Sequence, residues 1–373
     1  MTGPGTTQSA VSRGQQARAG RTRSVRLAAA RALPLFARGS GGTRPAFSAD
    51  TLRALRARHG GAPVLVRGLS GAVLVLLDRQ ELRQFYDAEP GGAPPPSPPG
   101  TGGARSCGAV RGIIAEEARY LTAAATLDLA RARRTVARAA RRIVLGDGAA
   151  AGEEQLTGLL GRLRRRGRER AGAAEGHTLL GRAGAYADRG DQVLRAMDSI
   201  PATLLRTLLL LAAHPAEQDA AAAEAAGHEA RGELPRLRAC VRECLRLYPA
   251  VPDLIRITCA ETEWRGVRHP PGTTVLLPAH FHQRDPEHVP AAHVFVPGRW
   301  KTPGADEDIR MAPFGHGPGR CPGDRLGLLV TTALCAEVLR RRRITATRPV
   351  LDPPGPLPPA LDPRGIRLTL TRR

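Results

Sequence analysis

Apolar and polar positions along this chain follow two periods, and the helical one dominates. It is clearest from about Gln192 to Ala213, where Leu204, Leu205, Leu208, Leu209, Leu210 and Leu211 leave little room for a polar face. A helix apolar all round belongs inside a core. Pro201 within it predicts either a kink or the true start of the helix. The Ala-rich stretch 216–230 predicts a second helix. A third opens at Pro235, carries Leu237, Val241 and Leu245, and stops before Pro249. A last one opens at Pro322 and repeats through Leu326, Leu329, Val330, Ala333, Leu334 and Val338. Nearer the start, Ser48 predicts the cap of a helix bearing Leu52 and Leu55 and ended by Gly60-Gly61. Helical patterns rich in arginine run from Glu116 to about Leu145 and over 153–170.

The two-residue period marks short strands. Pro63 to Val66 and Ala72 to Leu77 read as a hairpin across Gly68-Leu69-Ser70-Gly71, with Asp78 capping a helix through Leu82 and Phe85. Leu254 to Thr258, Val267 to His269, Thr274 to Leu277 and Ile366 to Leu370 read as further strands. Residues 89–104 and 283–320 are punctuated by Pro and Gly and predict irregular connections. The expected class is mostly α with a small β lobe, an α+β chain.

Composition narrows the partners. The chain has 373 residues, 42% of them apolar, enough for one large core. Residues 1–47 hold eight arginines and no acid and predict a disordered basic arm, followed by a single domain over 48–373. The formal charge is +22, but Lys301 is the sole lysine among 56 basic residues. That skew, with abundant Ala, Gly and Pro, reflects GC-rich coding and weakens any argument from charge to nucleic acid. Aromatics at 3% argue against base stacking. No apolar run approaches the ~18 residues that span a bilayer, and no apolar leader is visible. Six unpatterned cysteines predict a reducing, cytoplasmic setting.

Candidate chemistry concentrates in Phe314-Gly315-His316-Gly317-Pro318-Gly319-Arg320-Cys321-Pro322-Gly323. A cysteine here sits at the mouth of a helix, whose unpaired N–H groups favour a thiolate. Glycines such as Gly317 and Gly323 let the backbone approach a flat ligand and donate N–H bonds to sulfur. A thiolate so placed suits the axial position of haem iron. Glu243 and Arg246 share one helix face and can pair; Leu247-Tyr248-Pro249 follows them, and Pro297-Gly298-Arg299-Trp300 lies some way on. Cys240 and Cys244 lack a partner pair at metal-ligand spacing and read as core residues, and the histidines at 280, 282, 288 and 293 read as surface or core residues.

With these three signatures in this order, residues 48–373 resemble the cytochrome P-450 family, of the bacterial, soluble type. The resemblance implies a cytochrome P-450-like fold holding haem b, its iron bound by an axial thiolate from Cys321. It implies a structural triad of Glu243, Arg246 and Arg299, an aromatic beside the sulfur at Phe314, and a haem-carboxylate partner at Arg256. It implies a monooxygenase inserting one oxygen atom into a small-molecule substrate, of the kind found in secondary metabolism, with electrons from a ferredoxin-type donor docked on a basic proximal face. The alternative is a degenerate, non-catalytic relative acting as a binding partner.

Three departures from the family pattern stand out. Two residues before the cysteine, where the family places Arg or His against a haem carboxylate, stands Gly319, with Arg320 one residue off; His316, at a variable position, is expected to ligate nothing. Arg119 is a weak candidate for a second carboxylate partner. Aligned on His214-Pro215, the distal helix offers Asp198 and Ser199 as the acid and hydroxyl that deliver protons to bound oxygen, or as a helix cap. Between Gly146 and Gln192 about 45 residues, at ~1.5 Å each when helical, predict a reduced roof over the substrate pocket.

Overall fold

In the computed structural model of the chain, the described residues are 24–26, 45–68, 71–87, 107–145, 197–227, 233–317, 320–321, 323–353 and 355–373. The predicted helix over 153–170 and the reduced roof lie outside them, as does most of the predicted basic arm.

The first elements are β1 (Ser24–Arg26), α1 (Ala49–His59), β2 (Val64–Gly68), β3 (Gly71–Val75) and α2 (Gln80–Asp87). Ser48 caps α1, its hydroxyl accepting the Thr51 N–H at 3.2 Å. Gly60 ends it at φ 58°, in the left-handed region, where its N–H returns to the Arg56 carbonyl. β2 and β3 form the predicted antiparallel hairpin, Gly68 opposite Gly71. β1 is a difference from the sequence reading: three residues of the arm run parallel to β2. No local pattern marks them, because their pairing is with residues some forty positions away.

The helical pattern from Glu116 to Leu145 is broken rather than continuous. It comprises α3 (Cys107–Glu117), α4 (Arg119–Thr122), strand β4 (Thr126–Asp128) and α5 (Leu129–Leu145). The strand exists because Thr126–Asp128 pair antiparallel with a strand at the far end of the chain.

Next come α6 (Ile200–Ala213), α7 (Pro215–Gly227) and α8 (Pro235–Leu247). Pro201 lies in the first turn of α6, so it opens the helix and does not kink it. Nearly every side chain of α6 from Ile200 to Leu211 is buried. At about 1.5–3 kcal/mol for each large apolar side chain taken from water, this helix is a major source of stability. It packs against α5, α7, α8 and the last helix, α10 (Asp324–Arg341). One core cluster runs from Val110 on α3 to Leu370 near the C-terminus, so elements from both halves share it.

Between α8 and α10 lie β5 (Leu254–Ile257), β6 (Thr262–Trp264), β7 (Val267–His269), β8 (Thr274–Leu277), the single turn α9 (Ala279–His282), and a run of short 3-10 turns. The chain ends with β9 (Arg342–Arg348) and β10 (Arg367–Arg372). The strands form three sheets, ordered β1-β2-β3-β8-β5, β4-β10-β9 and β6-β7. Arg56 of α1 bridges Asp285, at 2.6 Å, and Glu287, tying the five-stranded lobe to the irregular segment that follows α9.

Candidate functional site: a cysteine loop beside a buried ionic network

The ionic network is built on α8. Pro235 starts that helix, and its apolar spacing turns one face into the core, which leaves Glu243 and Arg246 with no exposed side-chain surface. Arg246 holds Glu243 with two parallel bonds, Nε to Oε2 at 2.9 Å and Nη2 to Oε1 at 2.8 Å. Arg299 Nε adds a third at 3.1 Å to Oε1. Sequence reasoning missed two more donors: the Trp300 indole at 2.9 Å and the Val296 N–H at 3.0 Å. Arg246 also donates to the carbonyls of Gln283, Ala292 and Val294 at 2.8, 2.9 and 3.2 Å. A buried pair repays its desolvation only when the remaining polar sites are filled in this way. Burial pushes the Arg299 pKa down, against the pull of Glu243.

The cysteine loop follows. Gly315 and Gly317 take φ of 76° and 60°, values that L side chains rarely adopt. At Gly317 a Cβ would also come within 2.9 Å of the Tyr86 carbonyl oxygen. The Cys321 N–H donates to the Phe314 carbonyl at 2.8 Å, closing the loop. Cys321 is exposed as a residue, yet partial burial of its thiol raises the pKa; the Gly323 N–H donating to sulfur and the Arg320 charge pull it back, while Asp324 opposes them. Phe314 is half-buried against the main core. Pro318, Gly319 and Pro322 lie outside the described residues.

The other candidate residues are placed unevenly around this loop. Arg320 is engaged by Asp324, at 2.8 Å from both Nε and Nη2, which accounts for its charge within the loop itself. Arg256, on β5, donates to the Phe85 carbonyl and stacks 4.4 Å over the Phe85 ring. The end of α2 therefore touches both the cysteine loop, through Tyr86 and Gly317, and Arg256, through Phe85, a junction that no local motif announces. Arg119 is exposed. Asp198 is exposed, and Ser199, the residue immediately before α6, is half-buried. Ser199 makes no side-chain cap bond; its carbonyl instead accepts both the N–H and the hydroxyl of Thr203, at 3.1 and 3.0 Å.

This arrangement fits a haem thiolate. The loop offers one soft sulfur at a helix mouth, an N–H aimed at that sulfur, and a backbone pinned so that no side chain replaces Gly317. Glu243 and Arg246 lie on the adjoining helix and fasten, through Val296, Arg299 and Trp300, the segment that leads into the loop.

Residues 190–360 match the cytochrome P-450 family. Over 148 residues the chain is 37% identical to a cyclooctat-9-en-7-ol 5-monooxygenase from Streptomyces melanosporofaciens, covering 35% of this chain and 32% of that protein. It is 33% identical over 135 residues to a pentalenene oxygenase from Streptomyces avermitilis, 36% of this chain and 30% of the other. The matches thus span about a third of these relatives' length. The fold likeness is wider. A structure from Thermus thermophilus superposes with a TM-score of 0.61 at 20% identity, covering 86% of this chain and 94% of that one. A zebrafish cytochrome P-450 in complex with abiraterone gives 0.63 at 18%, covering 87% and 99%. A match to the cytochrome P-450 family over residues 190–360 is thus set in a chain whose fold is that of cytochrome P-450 structures.

Proposed function

We propose that this chain is a haem-thiolate monooxygenase with Cys321 as the axial ligand. Bound there, haem would supply the activation of dioxygen and the insertion of one oxygen atom into an organic substrate. The observation that carries this reading is the Phe314–Cys321 loop, closed by the Cys321 N–H bond to the Phe314 carbonyl, with its thiol at the mouth of α10. Cys321 would hold the haem iron as its thiolate, with the neighbouring Gly323 N–H tempering the charge on sulfur. Arg256 is suited to hold a haem carboxylate from β5.

On the substrate side, Asp198 is the acid available to relay protons from solvent, and Ser199 the hydroxyl to hold a water next to it. The bacterial relatives named above act on terpenoid skeletons by their names, and a small apolar substrate of secondary metabolism suits the buried α6 that would line the pocket. Electrons would arrive at a basic surface. Arg320, half-exposed in the cysteine loop, and Arg325, exposed in the first turn of α10, contribute to it, whereas Arg242 is buried and paired with Asp306. An acidic ferredoxin-type donor complements that field.

The deciding measurement is the absorption spectrum of purified protein, ferric and then reduced under carbon monoxide. One haem per chain and the red-shifted band of thiolate ligation are expected; protein that takes up no haem overturns the reading.

A specific observation favours weak coupling of electron use to product. Both donors of Thr203 already occupy the Ser199 carbonyl, and Ser lacks the methyl that fixes a threonine hydroxyl. Through a surrogate ferredoxin system, much of the reducing power is expected as hydrogen peroxide. Asp198→Asn is expected to slow turnover by roughly a hundred-fold or more, in the range of a lost general acid, with haem content unchanged. Tight coupling that survives both Asp198→Asn and Ser199→Ala shows that proton delivery runs elsewhere.

A further inference from the structure

Three arginines of α8 and the cysteine loop use their guanidinium groups differently. The Nε–Nη2 edge, with two parallel N–H bonds, is the edge that grips a carboxylate. Arg246 uses this edge on Glu243, and Arg320 uses it on Asp324. Arg242, about one turn before Arg246, does not. Among the described residues its ion pair runs from Nη1 to Asp306, and no acceptor meets Nε or Nη2. Yet Arg242 is only 8% exposed. Its unused nitrogens are not among the sealed polar atoms, because the side chain lines an open pocket between α8 and the cysteine loop. Burial, with Arg238 and Arg320 close by, lowers the Arg242 pKa to about 10, so the group stays charged at neutral pH. A cation taken from water with two N–H groups unmet costs free energy until an acceptor arrives.

The other walls of the pocket say what kind of acceptor fits. The Arg242 guanidinium lies 5.8 Å from the centre of the Trp300 ring, and Ala312, Pro313 and Phe314 continue the lining. Apolar walls suit a short hydrocarbon tail better than the hydrated oxygens of a phosphate. Charge agrees with this. Asp306 and Asp324 offset Arg242 and Arg320, while Arg238 has no acidic partner among the described residues, so one further negative charge is balanced.

We propose that this pocket binds a small free monocarboxylic acid, its carboxylate on the Nε–Nη2 edge of Arg242 and its tail against Trp300 and Phe314. Asp306, exposed on a 3-10 turn, shares Arg242 with that ligand and so weakens its hold. The site uses neither the Cys321 thiol nor haem, and it goes beyond the monooxygenase reading without resting on it.

The test is equilibrium dialysis of the full chain against radiolabelled propionate, with ionic strength held constant by sodium chloride. One saturable site per chain is expected. Unlabelled propionamide, of the same shape without the charge, should displace none of the label. Arg242→Leu is expected to weaken binding at least about ten-fold, the scale of a charge-assisted hydrogen bond. Arg242→Lys keeps the charge but loses the paired donors, and should weaken binding nearly as much. Asp306→Asn should tighten it several-fold, because the competing carboxylate is gone. Binding that never saturates, or that is equal in the parent and Arg242→Leu, overturns the assignment. Inorganic phosphate that displaces the label at lower concentration than propionate does overturns the carboxylate as the ligand. Should Arg242→Leu fail to fold, Asp306→Asn decides: propionate held no more tightly than by the parent counts against the proposal.

Discussion

Cys321→Ala is expected to abolish the thiolate band of the carbon-monoxide complex while the polypeptide keeps its stability. The two halves of that result separate ligation from folding. Cys321 is exposed on a loop, and substitution at such a site shifts stability by only about 0.5 kcal/mol or less. The competing thiols are unsuited to the task. Cys240, Cys244 and Cys335 are buried between α8 and α10, and burial drives their pKa values up, that of Cys244 to about 11. Cys244 donates its S–H to the Thr203 carbonyl at 3.8 Å and behaves as a small core residue. Cys244→Ala and Cys335→Ala should therefore leave the band in place. A parent-like spectrum in Cys321→Ala would overturn the ligand assignment.

Glu243→Ala is expected to have the largest effect on folding. It removes the one carboxylate facing two arginines, and Arg246 is left with no exposed surface and no counter-charge. Stranding a buried charge costs about 3–5 kcal/mol, against a total of about 5–15 kcal/mol for a typical domain. The indole of Trp300 and the Val296 N–H lose their acceptor at the same time. Little soluble protein is expected, with a urea midpoint far below the parent's. Glu243→Gln keeps the shape but only one acceptor oxygen and no charge, its amide N–H group facing donors, and should fall between. A Glu243→Ala protein that unfolds at the parent's urea concentration would show that the network is dispensable.

The parts of this molecule that could be read from the chain are those whose cause is local. Pro201 and Pro235 open α6 and α8 because proline tolerates only the first turn, and the spacing of Glu243 and Arg246 puts both on one face whatever surrounds them. Glycines with positive φ and a cysteine at a helix mouth are likewise local. What escaped the reading depends on distant partners. Thr126–Asp128 look helical beside so many arginines and become a strand because β10 lies against them. β9 follows α10 without a turn signal and exists as the other neighbour of β10. Around the site, Arg299 could be anticipated from its motif, but the three carbonyls that Arg246 gathers could not, since backbone acceptors leave no trace in side-chain pattern. The junction of α2 with the cysteine loop has the same origin. Tyr86 meets Gly317 only after some 230 intervening residues have folded.

The reach of Arg246 has a consequence for how this region can change over generations. Irregular surface segments ordinarily accept insertions and deletions more easily than they accept loss of their ends. The stretch from Gln283 to Val296 has no ladder of its own, and two side chains of α8 clasp it: Arg246 at the carbonyls of residues 283, 292 and 294, and Glu243 at the amide of residue 296. Those four attachment points set a contour length. Exposed positions between them, such as Pro286 and Pro290, are free to vary in identity, whereas the number of residues is not. One residue added or removed between Ala292 and Val296 would carry a carbonyl out of reach of a guanidinium that has no water to fall back on. In this segment length is the inherited quantity, held fixed by an arginine far away in the chain.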